Sequence, residues 1–213
     1  MRTRADWRVY VITDGERARG RSHLEIATAA VRGGATAVQL RMKCEPVRVM
    51  VETARRVASI CRDAGVTLIV NDRVDVAAAA GADGAHVGQD DLPAAAARAL
   101  LGPGRWLGVS AATRGEAEEA ERAGADYLGV GAVYATTTKA DAGAPVGLGR
   151  IREIRGASSL PVVGIGGITI ENAAAVIRAG ASGVAVVTAV TLADDMIEAT
   201  RKLREQVDAA LAG

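Results

Sequence analysis

Gly124-Ala125-Asp126-Tyr127-Leu128-Gly129-Val130-Gly131-Ala132-Val133-Tyr134-Ala135-Thr136-Thr137-Thr138-Lys139 reads as a helix stop, a buried strand and a polar loop in succession. Glycine after a last helical turn takes φ > 0 without a Cβ clash, so it ends helices. The apolar run Tyr127–Val133 predicts a strand. Three hydroxyls and a cation, Thr136-Thr137-Thr138-Lys139, close it. Hydroxyls and an ammonium group delivered into a loop suit an anion, most simply phosphate.

The same mark recurs along the chain, at Gly33-Gly34-Ala35, Gly65-Val66, Gly81-Ala82-Asp83-Gly84 and Gly180-Ala181-Ser182-Gly183. Each follows an alanine-rich helical pattern and precedes a short β-branched run. Strands are predicted over Arg8–Thr13, Ala37–Arg41, Thr67–Asn71, Gly84–Val87, Trp106–Ser110, Tyr127–Val133, Val162–Ile165 and Gly183–Val187. Helices are predicted over Leu24–Arg32, Pro46–Ala64, Arg73–Ala80, Leu92–Leu101, Arg114–Ala123, Gly149–Gly156, Ile170–Ala179 and Leu192–Leu211. Strict alternation implies a parallel sheet with right-handed crossovers. Eight units with no spare segment point to an α/β fold, a single (β/α)8 TIM barrel formed by residues 1–213. The competing architecture is an open doubly wound sheet.

Composition narrows the function. The 213 residues are 49% hydrophobic, enough for a substantial core. With only three Tyr, two Trp and no Phe, that core is expected to be Val, Ile, Leu and Ala. A net charge of +1 gives no general surface for nucleic acid or membrane. Cys44 and Cys61 read as two reduced thiols. No charged leader or long uncharged apolar run is present, so the expectation is a cytoplasmic protein.

In a closed barrel, catalytic groups sit at the C-terminal strand ends. Gln39, Arg41 and Lys43 alternate along an extended chain and share one face, a clamp for a polyanion. Asp72 and Asp91 end adjacent strands and offer two hard oxygen ligands suited to Mg2+, with Asp90 the rival for Asp91. Asn71-Asp72 could equally cap the helix beginning near Arg73. Ser110 closes the fifth strand. Gly166-Gly167 and Val187-Thr188 follow strands seven and eight, whose loops often bind phosphate through backbone N–H groups. His86 reads as a hydrogen-bonded core residue, and His23 as surface or cap. One anion region is therefore cationic and metal-assisted, the other neutral and built from backbone. That asymmetry fits two small phosphorylated substrates, one carrying a diphosphate and the other a monophosphate. No nucleophile or acid–base pair stands out, and departure of a diphosphate needs little of either.

From about Val9 to Val190 the chain resembles the thiamine-phosphate synthase (thiamine-phosphate pyrophosphorylase) family. The resemblance is carried by Val38–Lys43, Asn71-Asp72, His86–Asp91, Gly108-Val109-Ser110, the Thr-Thr-Thr-Lys-Ala-Asp core of Gly131–Ala142, Gly166–Thr169 and Val186–Thr188. It implies a (β/α)8 transferase that expels Mg2+-bound pyrophosphate from hydroxymethylpyrimidine diphosphate. The pyrimidine-methyl cation left behind is captured by the ring nitrogen of hydroxyethylthiazole phosphate. Gln39, Arg41, Lys43, Asn71, Ser110 and Lys139 would hold the diphosphate substrate, with Arg41, Lys43, Ser110 and Lys139 acting in catalysis. Asp72 and Asp91 would ligate Mg2+. Thr136, Thr138, Gly166 or Gly167, and Val187-Thr188 would hold the thiazole phosphate. Met42 replaces a usual acidic residue and should point away from its cationic neighbours. Thr188 replaces a usual serine and keeps the hydroxyl. Alternatives are a thiazole tautomerase of the same superfamily, a sugar-phosphate isomerase or epimerase, and a non-catalytic phosphometabolite-binding protein. A homo-oligomer is left open, and Ala135–Pro145 is expected to act as a lid.

Overall fold

The computed structural model describes residues 5–136, 138 and 144–213. Eight parallel strands close in chain order: β1 (Val9–Asp14), β2 (Ala37–Arg41), β3 (Thr67–Asn71), β4 (Gly84–Val87), β5 (Trp106–Ser110), β6 (Tyr127–Val130), β7 (Val162–Ile165) and β8 (Gly183–Val186). Pairing of Val9–Val11 in β1 with Val184–Val186 in β8 closes the ring, which rules out the open sheet. Outside it lie α1 (His23–Arg32), α2 (Val47–Asp63), α3 (Val74–Ala80), α4 (Ala94–Leu101), α5 (Arg114–Arg122), α6 (Gly147–Ala157), α7 (Ala173–Arg178), α8 (Thr188–Thr191) and α9 (Met196–Ala212).

Helix ends differ from expectation by one to three residues, and three strands and the last helix differ in ways that matter for the site. β1 runs one residue further, to Asp14, and β8 stops at Val186. β6 stops at Val130 because its continuation leaves the ladder while staying against β7. There the Val133 and Tyr134 amides donate to the Ile165 and Gly166 carbonyls at 2.8 and 3.0 Å. The helix expected over Leu192–Leu211 is two pieces, α8 and α9. Asp195 starts the second by accepting from the Ile197 and Glu198 amides.

The helix–glycine–strand marks form as read: Gly124 has φ +89° just before β6. The residue preceding the strand adds a second function. Thr36 Oγ1 accepts from the Val9 amide, Asp83 Oδ2 from Leu68, and Asp126 Oδ2 from Leu107, each at 2.8–3.0 Å. β2, β4 and β6 are thus each anchored to the start of the preceding strand, which fixes their register at the barrel floor.

Two packing layers follow from the two-residue strand period. Val38, Leu40, Leu68, Val70 and Leu128 point outward against the helices. The inner set is Trp7, Tyr10, Ile12, Ala37, Ile69, Tyr127, Val163 and Ala185, with Trp106 packed against it. The expectation of a purely aliphatic core holds only outside the barrel. Inside, Trp7 stacks on Tyr127 with centroids 4.0 Å apart and meets Trp106 edge-on at 6.0 Å. Four of the chain's few aromatic rings plug the floor, so the residues above them can be polar.

Candidate active site

Above that plug, a cavity of about 430 Å³ opens at the C-terminal ends of the strands, a volume suited to small metabolites. Gln39, Arg41, Lys43, Asn71, Asp72, Asp91, Ser110, Thr136, Thr138, Gly166, Gly167, Val187 and Thr188 all line it. Lys139 lies outside the described residues, as do Thr137 and residues 140–143 of the expected lid. Met42 is 8% exposed in the outer core, so the strand pleat does send it away from Arg41 and Lys43.

The cationic end is organised by a residue not anticipated from sequence. Asp14 closes β1 and is 1% exposed. Its Oδ2 accepts from Arg41 Nη1 at 2.6 Å, while Oδ1 accepts from the Glu16 and Arg17 amides at 3.1 and 3.3 Å. Arg17 Nη1 lies 3.6 Å from the same carboxylate. Asp14 falls outside the predicted first strand, which ends at Thr13. Its in-register partner across the ladder, Arg41, is the signal that could have found it.

Lys43 Nζ donates to Asp72 Oδ2 at 2.5 Å. Asp72 holds φ +59°, the left-handed region that non-glycine residues adopt uncommonly. Its carboxyl does not cap α3: the N-cap is Arg73, which makes no side-chain cap bond, so the capping alternative is not realised. Burial raises the Asp72 pKa from its ordinary value; Lys43 opposes this and the adjoining Asp91 carboxyl adds to it. Two carboxyls pressed together beside an ammonium group suit a divalent cation. Asp91 Oδ2 also accepts from the Gly88 amide at 2.8 Å, which aims it; Asp90 lines the cavity but is exposed. Among the described residues no group of three or more His, Cys, Asp and Glu could hold a metal unaided.

The opposite end is neutral. Thr138 N–H and Oγ1 both lie 3.2 Å from Thr136 Oγ1, which draws the loop into a turn. Gly166 and Gly167 have φ +94° and +65°. A Cβ on Gly166 would meet Ala132 at 2.6 Å, and one on Gly167 would meet the Ala135 carbonyl oxygen at 2.5 Å. These glycines are therefore required for the β6 and β7 loops to pack together, in addition to the expected access for an anion. Val187 is the N-cap of the short α8, and Thr188 is its first residue.

Both histidines are hydrogen-bonded. His86 bridges Tyr127 Oη and Ser110 Oγ at 3.1 and 3.0 Å. His23 is not the cap, a role that Ser22 fills through a capping box with Glu25. Its Nδ1 lies 2.8 Å from Thr13 Oγ1, and burial lowers its pKa.

Residues 9–190 match the family profile described as Thiamine monophosphate synthase. The chain is similar to the thiamine-phosphate synthase of Chloroflexus aurantiacus, 57% identical over 202 residues that cover 95% of this chain and 93% of that one. It is 54% identical to the thiamine-phosphate synthase of Moorella thermoacetica, covering 96% and 97%. Among solved structures, thiamine phosphate pyrophosphorylase from Pyrococcus furiosus superposes with a TM-score of 0.90 at 40% identity, covering 97% and 98%.

Proposed function

The chain belongs to the thiamine monophosphate synthase family, and we propose that its cavity joins hydroxymethylpyrimidine diphosphate to hydroxyethylthiazole phosphate with release of pyrophosphate. It is a transferase that forms thiamine phosphate. The observation carrying the mechanism is the asymmetry of one cavity: Arg41, Lys43, Asp72 and Asp91 at one end, Thr136, Thr138, Gly166, Gly167 and Thr188 at the other.

In this reading the diphosphate lies against Arg41 and Lys43, with Asn71 and Lys139 as further donors, and the pyrimidine ring lies over Gln39 and Ser110. Arg41 is held in place by Asp14, so its remaining N–H groups meet the phosphate oxygens without first ordering a long side chain. The C–O bond to the diphosphate breaks with its electron pair going to oxygen, where Arg41, Lys43 and Lys139 stabilise the developing charge. The pyrimidine-methyl cation is sheltered from water by Ile12, Val163, Ile165 and Ala185 of the cavity wall. The thiazole nitrogen then forms the C–N bond while Thr136, Thr138, Gly166 or Gly167, Val187 and Thr188 hold the thiazole phosphate.

Asp72 and Asp91 fit Mg2+, which takes one or two protein carboxylates and completes its shell with water and substrate phosphate oxygens. Bound there, the ion would neutralise charge on the diphosphate. A thiazole tautomerase would have no diphosphate or metal to hold, so the cationic and carboxylate end favours the synthase. We place the enzyme in the cytoplasm, acting on small phosphorylated substrates. Among the described residues no helix is long and apolar enough to cross a membrane.

Calorimetric titration tests the two-ended arrangement. Asp72→Ala should abolish Mg2+-dependent binding of the pyrimidine diphosphate and leave thiazole phosphate binding within about twofold, since distant sites act independently. Equal loss of both ligands would refute it.

A further inference from the structure

Lining the cavity, five side chains from five strands form one hydrogen-bonded chain across the barrel. Gln39 Nε2 donates to Tyr10 Oη at 2.9 Å, and Tyr10 Oη lies 3.0 Å from Tyr127 Oη. Tyr127 Oη lies 3.1 Å from His86 Nδ1, and His86 Nε2 lies 3.0 Å from Ser110 Oγ. The space for the chain is kept open by glycine. A Cβ on Gly108 would lie 2.2 Å from Tyr127 Cζ and 2.4 Å from His86 Nδ1, and one on Gly129 would lie 2.9 Å from His86 Cε1.

Proton counting gives this chain a direction. Tyr10 and Tyr127 are 1% and 0% exposed, and burial raises both pKa values, so each phenol keeps its proton and needs an acceptor for it. Tyr10 accepts from Gln39, so its own proton goes to the Tyr127 oxygen. The Tyr127 proton then goes to His86 Nδ1. An imidazole that accepts at Nδ1 and is neutral carries its proton on Nε2, and donates it to Ser110 Oγ. Turning the Tyr10–Tyr127 or the Tyr127–His86 link around strands a buried hydroxyl proton, and turning the His86–Ser110 link around leaves the imidazole with no ring proton; only reversal of the whole chain, with Gln39 presenting its oxygen, satisfies every group as well.

We propose that Gln39, Tyr10, Tyr127 and His86 form a polarised relay that holds His86 as the neutral Nε2–H tautomer and commits the Ser110 hydroxyl to donating into the cavity. Ser110 then offers its proton to an acceptor on the ligand, while His86 and Tyr127 are positioning residues acting through it. The ligand's identity, the pyrimidine ring, rests on the function proposed above; the tautomer does not.

The chain has two histidines, so a long-range 1H–15N correlation spectrum of the labelled, ligand-free protein resolves both rings, and His23→Gln assigns the remaining one. The expected His86 signature at neutral pH is a protonated Nε2 with an unprotonated Nδ1. A protonated Nδ1, an imidazolium or a mixture would overturn the relay. Gln39→Glu presents only acceptors to Tyr10, so it should reverse the chain and move the proton to Nδ1. An unchanged tautomer would show that direction is not passed through the two phenols. Tyr127→Phe keeps the ring that packs the floor, and should release His86 into mixed tautomers. It should also raise the KM for the pyrimidine diphosphate about fivefold, with the thiazole phosphate KM within about twofold. A single tautomer persisting in Tyr127→Phe would contradict the relay. Mixed tautomers with both KM values unchanged would refute the positioning role and leave the wild-type tautomer assignment standing.

Discussion

Replacing Asp14 by Asn separates the charge that holds Arg41 from the turn that follows β1. The amide keeps an oxygen for the Glu16 and Arg17 N–H groups, which Asp14 Oδ1 accepts at 3.1 and 3.3 Å. It loses the carboxylate that binds Arg41 Nη1 at 2.6 Å, and sets N–H donors against a guanidinium. Breaking a buried ion pair costs ~3–5 kcal/mol. Arg41 is 19% exposed and faces the cavity, so water relieves part of that. Roughly 2 kcal/mol of stability should be lost, a fall in the denaturation midpoint of about 4–8 °C for a chain of this size. Catalysis should suffer separately. An unanchored arginine must be ordered at each encounter with the diphosphate, ~1.5–2 kcal/mol, or about ten- to thirtyfold in kcat/KM for that substrate. Freeing a positive charge acts in the opposite direction by strengthening attraction to the anion. The account holds that ordering outweighs it, because that charge lies at a cavity mouth screened by water and salt. Steady-state kinetics with the pyrimidine diphosphate varied, beside thermal denaturation, measures both. An unchanged or raised kcat/KM in Asp14→Asn would refute the assignment of Asp14 as the anchor of Arg41.

Gly167→Ala should lower stability by at least ~2 kcal/mol, because its Cβ meets the Ala135 carbonyl oxygen at 2.5 Å with φ at +65°; a wild-type melting temperature would show that the β6 and β7 loops do not pack this closely. The folded-state pKa of His23 is lowered by burial, so the unfolded chain binds a proton that the folded one resists. Stability should therefore fall as pH drops below about 6.5, and His23→Gln should flatten that slope in urea titrations. Cys44 is exposed, while Cys61 is 1% exposed with its pKa pushed up to about 12 by burial. A thiol reagent should react quickly with one cysteine in the native protein and with the second only after unfolding; two fast thiols would contradict this packing.

The barrel was legible because its signals are local. Each helix stop, such as Gly124-Ala125-Asp126, and each apolar run lies within a dozen residues, and the closed topology leaves few places for eight such units. The strand-end residues were legible for the same reason: period two puts Gln39, Arg41 and Lys43 on one face, and the structure lines one cavity with all three. Partnership was not legible. Tyr10 and Tyr127 are 117 positions apart, and nothing in either neighbourhood distinguishes a phenol that joins a polar relay from one that only fills space. Asp14 lies one residue past the predicted end of β1, and its role depends on the Arg41 side chain, which a different strand brings to it. Gly167 was read for its anion access alone, since the Ala135 backbone against it comes from another β–α unit.

Incubating the protein with the two precursors and quantifying thiamine phosphate and pyrophosphate, first with Mg2+ and then with the metal chelated, tests the two-anion cavity most directly. Equal amounts of both products, lost on chelation and restored by added Mg2+, are predicted. Thiamine phosphate formed at an undiminished rate in the chelated reaction, or none formed in either, would contradict it.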